Sequence, residues 1–355
     1  MNDIQPEENK DVEIQYITLD QLLPGDILGF KGNPDDTISR LIMKLTNGSD
    51  VSHGAIFVQK KDNVLAESGE GGIHARKMFD DADNGREVYV LRHKDAGPNG
   101  VEPVVPIAKD YVLQDLPYPY SDLILLAFIL IFKQNTSRNI LSNAVAEYLC
   151  LVAAELKTII EQNKTSGRHT MVCSSFVYQC YLDASKNYPN LKLQVENGDV
   201  GFKEHLLLGA KARPAISLFE LYDEYVTSHE EEYKNNFYAS RKFVRAKKLR
   251  TKEEILSDLE KQLSKENENN LPVLGAGEFS IVLDIIAAIK DVIEAFSMFL
   301  KNDDVSYEEM MDIARKQQAM FVTPNDLVKH LANADLIGIA KVHCDGDRYD
   351  DNWKK

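Results

Sequence analysis

Three side chains in the 355-residue sequence have the chemistry to run an acyl transfer together. Cys173 lies in Thr170-Met171-Val172-Cys173-Ser174-Ser175-Phe176 and opens a stretch of helical spacing. A cysteine in the first turn of a helix meets free backbone N–H groups and the positive end of the helix dipole, both of which favour the thiolate. Ser174 and Ser175 suit a helix start better than a helix interior. His53, in Asp50-Val51-Ser52-His53-Gly54-Ala55-Ile56, stands at the mouth of an apolar strand. Imidazole is the side chain best placed to take a thiol proton near neutral pH, and Gly54-Ala55 leaves space beside the ring. Glu67 follows in Val64-Leu65-Ala66-Glu67-Ser68, where a carboxylate would hold the imidazole tautomer and stabilise its cation; Glu70 is the fallback. Taken singly, Cys173 reads as one more core cysteine and His53 as a strand-end histidine.

The elements that must position these groups come in two kinds. Up to residue 100 the chain reads as strands and turns: Val12–Leu19 alternates, Leu23-Pro24-Gly25-Asp26 feeds Ile27–Phe30, and Ser52–Gln59, Asn63–Ser68 and Arg86–Arg92 follow. A short helix is expected over Thr37–Leu45. A hairpin with the loop Gln59-Lys60-Lys61 would set positions 53 and 67 directly opposite, since 60 − 53 = 67 − 60. From Ser121 the period turns helical, over Asp122–Phe132, Asn139–Ile160 and Cys173–Ala184, then Lys252–Asn267 and Phe279–Asn302. Thr323-Pro324-Asn325-Asp326-Leu327 opens a last helix before a strand at Leu336–Val342. Early strands joined by a late one predict an α+β core in residues 15–185 and 318–343, with a helical insertion over 186–317 and tails at 1–14 and 344–355.

Composition narrows the partners. Fifty-six acids against 41 bases give a net charge of −15, which argues against nucleic-acid binding. Four scattered cysteines with no C-x-x-C pair make neither a disulfide framework nor a zinc site, and suit a reducing compartment. The first ten residues lack the basic and apolar regions of a secretory signal, so a cytoplasmic location is expected. The longest uncharged apolar run, Leu123–Phe132, is ten residues against the roughly 20 that span a bilayer, and reads as a buried helix. Gly275-Ala276-Gly277 lacks the strand and third glycine of a dinucleotide site, and Asp345–Asp351 lacks the position-six glycine and distal glutamate of a calcium loop, so the latter reads as a solvated tail. The basic cluster Arg241–Lys252 reads as a solvated helix face, and His169 as a loop residue.

The order of the motifs carries more than any one of them. Gly25-Asp26-Ile27, Ser52-His53-Gly54, Ala66-Glu67, Tyr118-Pro119-Tyr120-Ser121, Cys173-Ser174 and Thr323–Leu327 together resemble the circularly permuted NlpC/P60 cysteine peptidases, relatives of the lecithin:retinol acyltransferase-like enzymes. The resemblance implies a papain-like fold, an antiparallel sheet packed on helices. It implies Cys173 as nucleophile, His53 as general base and Glu67 as orienting residue, with Tyr120 or Tyr118 in the substrate pocket beside Ser174. Val172 and Ser175 replace the Asp-Cys-Ser-Gly pattern of the non-permuted branch, and the Asn-Cys-Glu-His motif of the acyltransferases is missing. No metal or organic cofactor is implied. The substrate would be a small molecule, peptide or lipid-acyl group; oligomeric state is not legible.

Overall fold

The computed structural model describes residues 15–46, 49–69, 72–114, 121–133, 140–162, 173–196, 217–229, 250–264, 276–301, 304–346 and 349. Seven strands form one sheet: β1 (Tyr16–Ile17), β2 (Ile27–Lys31), β3 (Val51–Gln59), β4 (Val64–Gly69), β5 (Gly72–Asp80), β6 (Arg86–His93) and β7 (Ala334–Cys344). The order is β1-β7-β5-β4-β3-β2-β6, and β6 pairs in turn with β7, so six strands close on themselves. The fold class is mixed α/β. The sheet is not wholly antiparallel as expected: β1 runs parallel to β7 at Ile339–Ala340, next to the stretch 342–344 where β7 pairs with β5.

Closure creates two faces with different demands. Leu28, Phe30, Ala55, Phe57, Leu65, Met78, Val88, Val90, Ala340 and Val342 alternate along their strands and pack together as one cluster inside the closed sheet. Their neighbours Ile27, Ile56, Ala66, Ala75 and Leu91 point outward and are covered by α2 (Val104–Leu113), α5 (Cys173–Ser185) and the short α10 (Pro324–Lys329). Burial on both faces explains the near-continuous apolar run of β3.

Two elements escape sequence reading. β5 is obscured because its apolar–polar alternation runs only from Ile73 to Arg76 and is then broken at Lys77-Met78. α2 contains Pro106 and follows Pro103, prolines that conceal a helix in the sequence although proline is tolerated in a first helical turn. Of the alternating Val12–Leu19, only Tyr16–Ile17 is a strand among the described residues.

A separate helical layer collects α1 (Thr37–Leu45), α3 (Ser121–Phe132), α4 (Asn143–Gln162), α6 (Leu218–Ser228), α7 (Lys252–Ser264), α8 (Ala276–Lys301) and α9 (Tyr307–Met320) around one apolar cluster. Every residue from Leu123 to Phe132 is buried in it, as the uncharged run requires. Arg40 on α1 ties α7 to the sheet side by gripping both oxygens of Glu260. No described helix is long and apolar enough to cross a membrane.

The C-terminal segment departs from the expected solvated tail. Asp345 N–H donates to the Lys77 carbonyl, and Tyr349 is buried, its N–H on the Ala75 carbonyl and its hydroxyl on Asp62. Tyr349 is an apolar anchor against β5. Its aromatic body was the sign that the acidic run concealed.

Candidate functional site

The site is built where three elements meet. β3 supplies His53, β4 supplies Glu67 and the first residue of α5 is Cys173. The hairpin register differs from the symmetric expectation: Glu67 stands opposite Ala55, not His53. The turn is four residues, Lys60–Asn63, with Asp62 and Asn63 at positive φ, and a bulge precedes it between Phe57 and Gln59. An offset of two positions keeps both side chains on one face, so they meet diagonally. His53 Nε2 lies 2.8 Å from Glu67 Oε2.

Glycine sets the distance between strand and helix. Gly54 and Gly29 are cross-strand partners. A Cβ on Gly54 would stand 3.0 Å from Leu327 and 3.7 Å from the Ser174 Cα, and one on Gly29 would stand 2.1 Å from Val328. The space left by these glycines is therefore taken by α10 and the start of α5. The Thr323–Leu327 motif is the device that seats α10 there. Thr323 and Asp326 cap the helix reciprocally, and Asp326 Oδ1 also meets His330 Nδ1 at 2.8 Å.

Cys173 is fully buried at the seam between the helical cluster and the layer covering the sheet. Its sulfur lies within 4.8 Å of an imidazole nitrogen of His53. Burial alone would discharge the imidazole, but the charges of Cys173 and Glu67 and hydrogen bonds to both prevail, and push its pKa up to about 10. Glu67 is held well below the usual carboxylate range: burial opposes this, and His53, His74 and Arg76 outweigh it. His74 Nε2 lies 3.1 Å and Arg76 Nε 2.6 Å from Glu67 Oε1, the latter in poor hydrogen-bond alignment. The Phe30 ring closes the other side of His53, with centroids 5.7 Å apart.

Sequence reasoning missed three members of this constellation. His74 and Arg76 lie on the unrecognised β5. Asp122 lies in the first turn of α3, where a carboxylate is ordinary helix-terminal chemistry and carries no distinctive signal. One donor atom from each of His53, Asp122 and Cys173 lies within 4.8 Å of the others, the one such convergence found among the described residues. A nitrogen, an oxygen and a sulfur so placed could hold a metal ion. The imidazole, however, is already engaged by Glu67 at 2.8 Å, and Cys173 and Glu67 both favour its protonated form.

The remaining expected residues fall differently. Ser174 is fully buried and donates its hydroxyl to the Val322 carbonyl at 2.5 Å, so it anchors α5 to the α10 approach and does not face open space. Tyr118, Tyr120, Glu70, His169 and the basic residues 241–249 lie outside the described residues. Cys180 is a core residue, its thiol pushed well up by burial. The chain matches no family model, no curated protein and no solved structure with which it was compared.

Proposed function

We propose that this chain is a cysteine hydrolase of permuted NlpC/P60-like, papain-like type, acting on an amide or acyl bond through Cys173, His53 and Glu67. The observation that carries this reading is the imidazole of His53 lying 2.8 Å from a buried carboxylate and within 4.8 Å of the thiol that opens α5. In the proposed cycle His53 takes the thiol proton and the sulfur attacks the acyl carbonyl. Backbone N–H groups at the start of α5 face the developing oxyanion. The leaving group takes the proton from His53, and water or another acceptor then releases the acyl group from sulfur. Glu67 keeps the imidazolium oriented throughout. The substrate class is a peptide amide such as those of cell walls, or a fatty-acyl amide or lipid ester, in which case transfer to an acceptor replaces hydrolysis.

The test is a panel of amide and ester substrates with the wild type and with Cys173→Ala and Cys173→Ser, alongside labelling by iodoacetamide. Loss of turnover in both variants, with preferential labelling of Cys173 in the wild type, is the expected result. Full activity without the thiol would sink the proposal. A competing reading, a non-catalytic platform whose working surface is the helical layer, draws on the complete burial of Cys173. It is distinguished by the pH profile of alkylation, since a structural thiol reacts only near the free-cysteine pKa of about 8.5.

A further inference from the structure

The proposed proton path uses Cys173, His53 and Glu67, and leaves Asp122 on α3 without an assigned part. One donor atom each of His53, Asp122 and Cys173 lies within 4.8 Å of the other two. A zinc-class ion holds its ligands at about 2.0–2.3 Å, which sets tetrahedral donor atoms about 3.3–3.7 Å apart. The trio therefore needs a closure on the order of an ångström, which rotation of the exposed Asp122 side chain can supply. Cys173 is fully buried and the His53 side chain only 13% exposed, so packing holds the two inner donors in place.

The surroundings suit a metal ion. Glu67, 2% exposed, lies 2.8 Å from His53 Nε2, which leaves Nδ1 as the nitrogen for a metal. Metal-ligating histidines characteristically give their other N–H to a carboxylate, which fixes the tautomer and makes the ligand more basic. His74 and Arg76 already offset the Glu67 charge, so this carboxylate orients the ring without adding a surplus charge. A divalent ion with one thiolate and one carboxylate is neutral as a unit, which lowers the penalty for burying it. Asp122 keeps its other contacts when it ligates, because a carboxylate carries two oxygens and about four lone pairs. Its strengthening of the Arg86 charge is compatible with this, since that guanidinium is held by the Lys31 carbonyl and Ser52 Oγ. Sulfur and imidazole donors select zinc-like ions over magnesium and calcium.

We propose that His53 Nδ1, an Asp122 carboxylate oxygen and the Cys173 sulfur form a three-ligand site for a zinc-class divalent cation, which switches the hydrolase off. Water fills the fourth position. The metal takes the place of protons at Nδ1 and at sulfur, so base and nucleophile are withdrawn together. The switch rests on the reading of Cys173 as nucleophile; the cation site does not.

The test titrates chelator-treated full-length protein with Co²⁺, whose bond to a thiolate gives a near-ultraviolet charge-transfer band. One ion per chain should bind, Zn²⁺ should displace it and Mg²⁺ should not. Asp122→Asn should weaken binding at least about tenfold, and Glu67→Gln about 10–100-fold through the imidazole. Cys173→Ser should remove the band, whereas Cys150→Ser and Cys344→Ser should keep it. Zn²⁺ should also protect wild-type Cys173 from iodoacetamide, read by peptide mass spectrometry, a measurement that needs no variant to fold. On the amide and ester panel Zn²⁺ should stop turnover, and a chelator should restore it. The half-inhibiting concentration should rise at least about tenfold in Asp122→Asn, referred to that variant's own uninhibited rate.

A wild type that turns over substrate but shows neither the thiolate band nor protection of Cys173 overturns the cation site and leaves the nucleophile standing. Binding that Asp122→Asn leaves unchanged overturns the three-ligand assignment. Metal binding that does not slow a turnover dependent on Cys173 overturns the switch. Metal binding to a chain that turns over no substrate removes the hydrolase and the switch together, and leaves the cation site as what the trio forms.

Discussion

Two carboxylates are buried in the same closed sheet, and each faces arginine, but they are held in opposite ways. Asp26, at the entry to β2, is fully buried and saturated. Arg92 grips it with two parallel bonds, Nε to Oδ1 at 2.8 Å and Nη2 to Oδ2 at 2.7 Å, and the Leu23 N–H completes Oδ2 at 2.7 Å. Glu67, 2% exposed, is shared among three partners on two strands, none of them bidentate. The first arrangement locks a turn, since any motion of Asp26 breaks matched bonds at once. The second leaves one oxygen to follow the imidazole while the other keeps its charge compensated. A carboxylate that serves a proton carrier needs the second kind of holding.

Breaking the saturated pair should give the largest effect. Arg92→Ala leaves the Asp26 charge buried with a single N–H, and should cost about 3–5 kcal/mol in denaturant unfolding. Any loss of turnover should follow the loss of folded protein. A cost near 1 kcal/mol would mean that water or a shifted side chain replaces Arg92, and the contrast with Glu67 would weaken.

Glu67→Gln should divide its effect the other way. The amide keeps the size and can still accept from His53, so stability should fall by only about 1–3 kcal/mol. The charge that stabilises the imidazolium is gone, and kcat/KM should drop about a hundredfold, or about 2.7 kcal/mol of transition-state energy. Equal losses in folding and turnover would place Glu67 with Asp26 as a structural carboxylate.

Stability as a function of pH sharpens the same contrast. His53 is raised to about 10, so its contribution is complete below its ordinary value near 6.5 and is lost as pH rises through about 10. Glu67 is depressed, so its contribution is present above its ordinary value near 4.3 and is lost as pH falls through its lowered value. The stability gap between the wild type and Glu67→Gln should therefore be widest from about pH 4.5 to 6.5 and narrow steadily toward pH 10. The gap opened by Arg92→Ala should show no such alkaline decline, because a guanidinium stays charged throughout. Unfolding curves at pH 5, 7 and 9.5 are enough to tell a flat difference from a falling one.

How much of this was legible in the sequence follows from how local each feature is. The early strands, the apolar α3 and the helix opened by Cys173 are periodic over their own length, and they appear where expected. The pairing of His53 with Glu67 was reached through a register that was wrong by two positions. It survived because side chains on a strand repeat every second residue. His74, Arg76 and Asp122 were not legible, since each is an ordinary polar residue whose meaning comes from a neighbour brought by closure of the sheet or by the docking of α3. Glycine was read for the right reason at the wrong surface: Gly54 permits close approach, but of Leu327 and α5.

The smallest expected effect tests the sharing itself. Arg76 is 26% exposed along its side chain and meets Glu67 at 2.6 Å without good alignment, so its bond is worth less than its distance implies. Arg76→Gln leaves Glu67 with His53 and His74, and should cost about 1 kcal/mol or less of stability. Its electrostatic support of the carboxylate is what goes. With that support reduced, Glu67 takes up a proton at higher pH than before, and the acid limb of kcat/KM should move upward while the rate at its plateau changes less than about threefold. Arg76→Lys should restore the limb, since the contact depends on charge more than on a fork. A loss comparable to that of Arg92→Ala would show that Arg76 locks Glu67 as firmly as Arg92 locks Asp26. The two carboxylates would then differ in address alone, and the mobility assigned to Glu67 would have no basis.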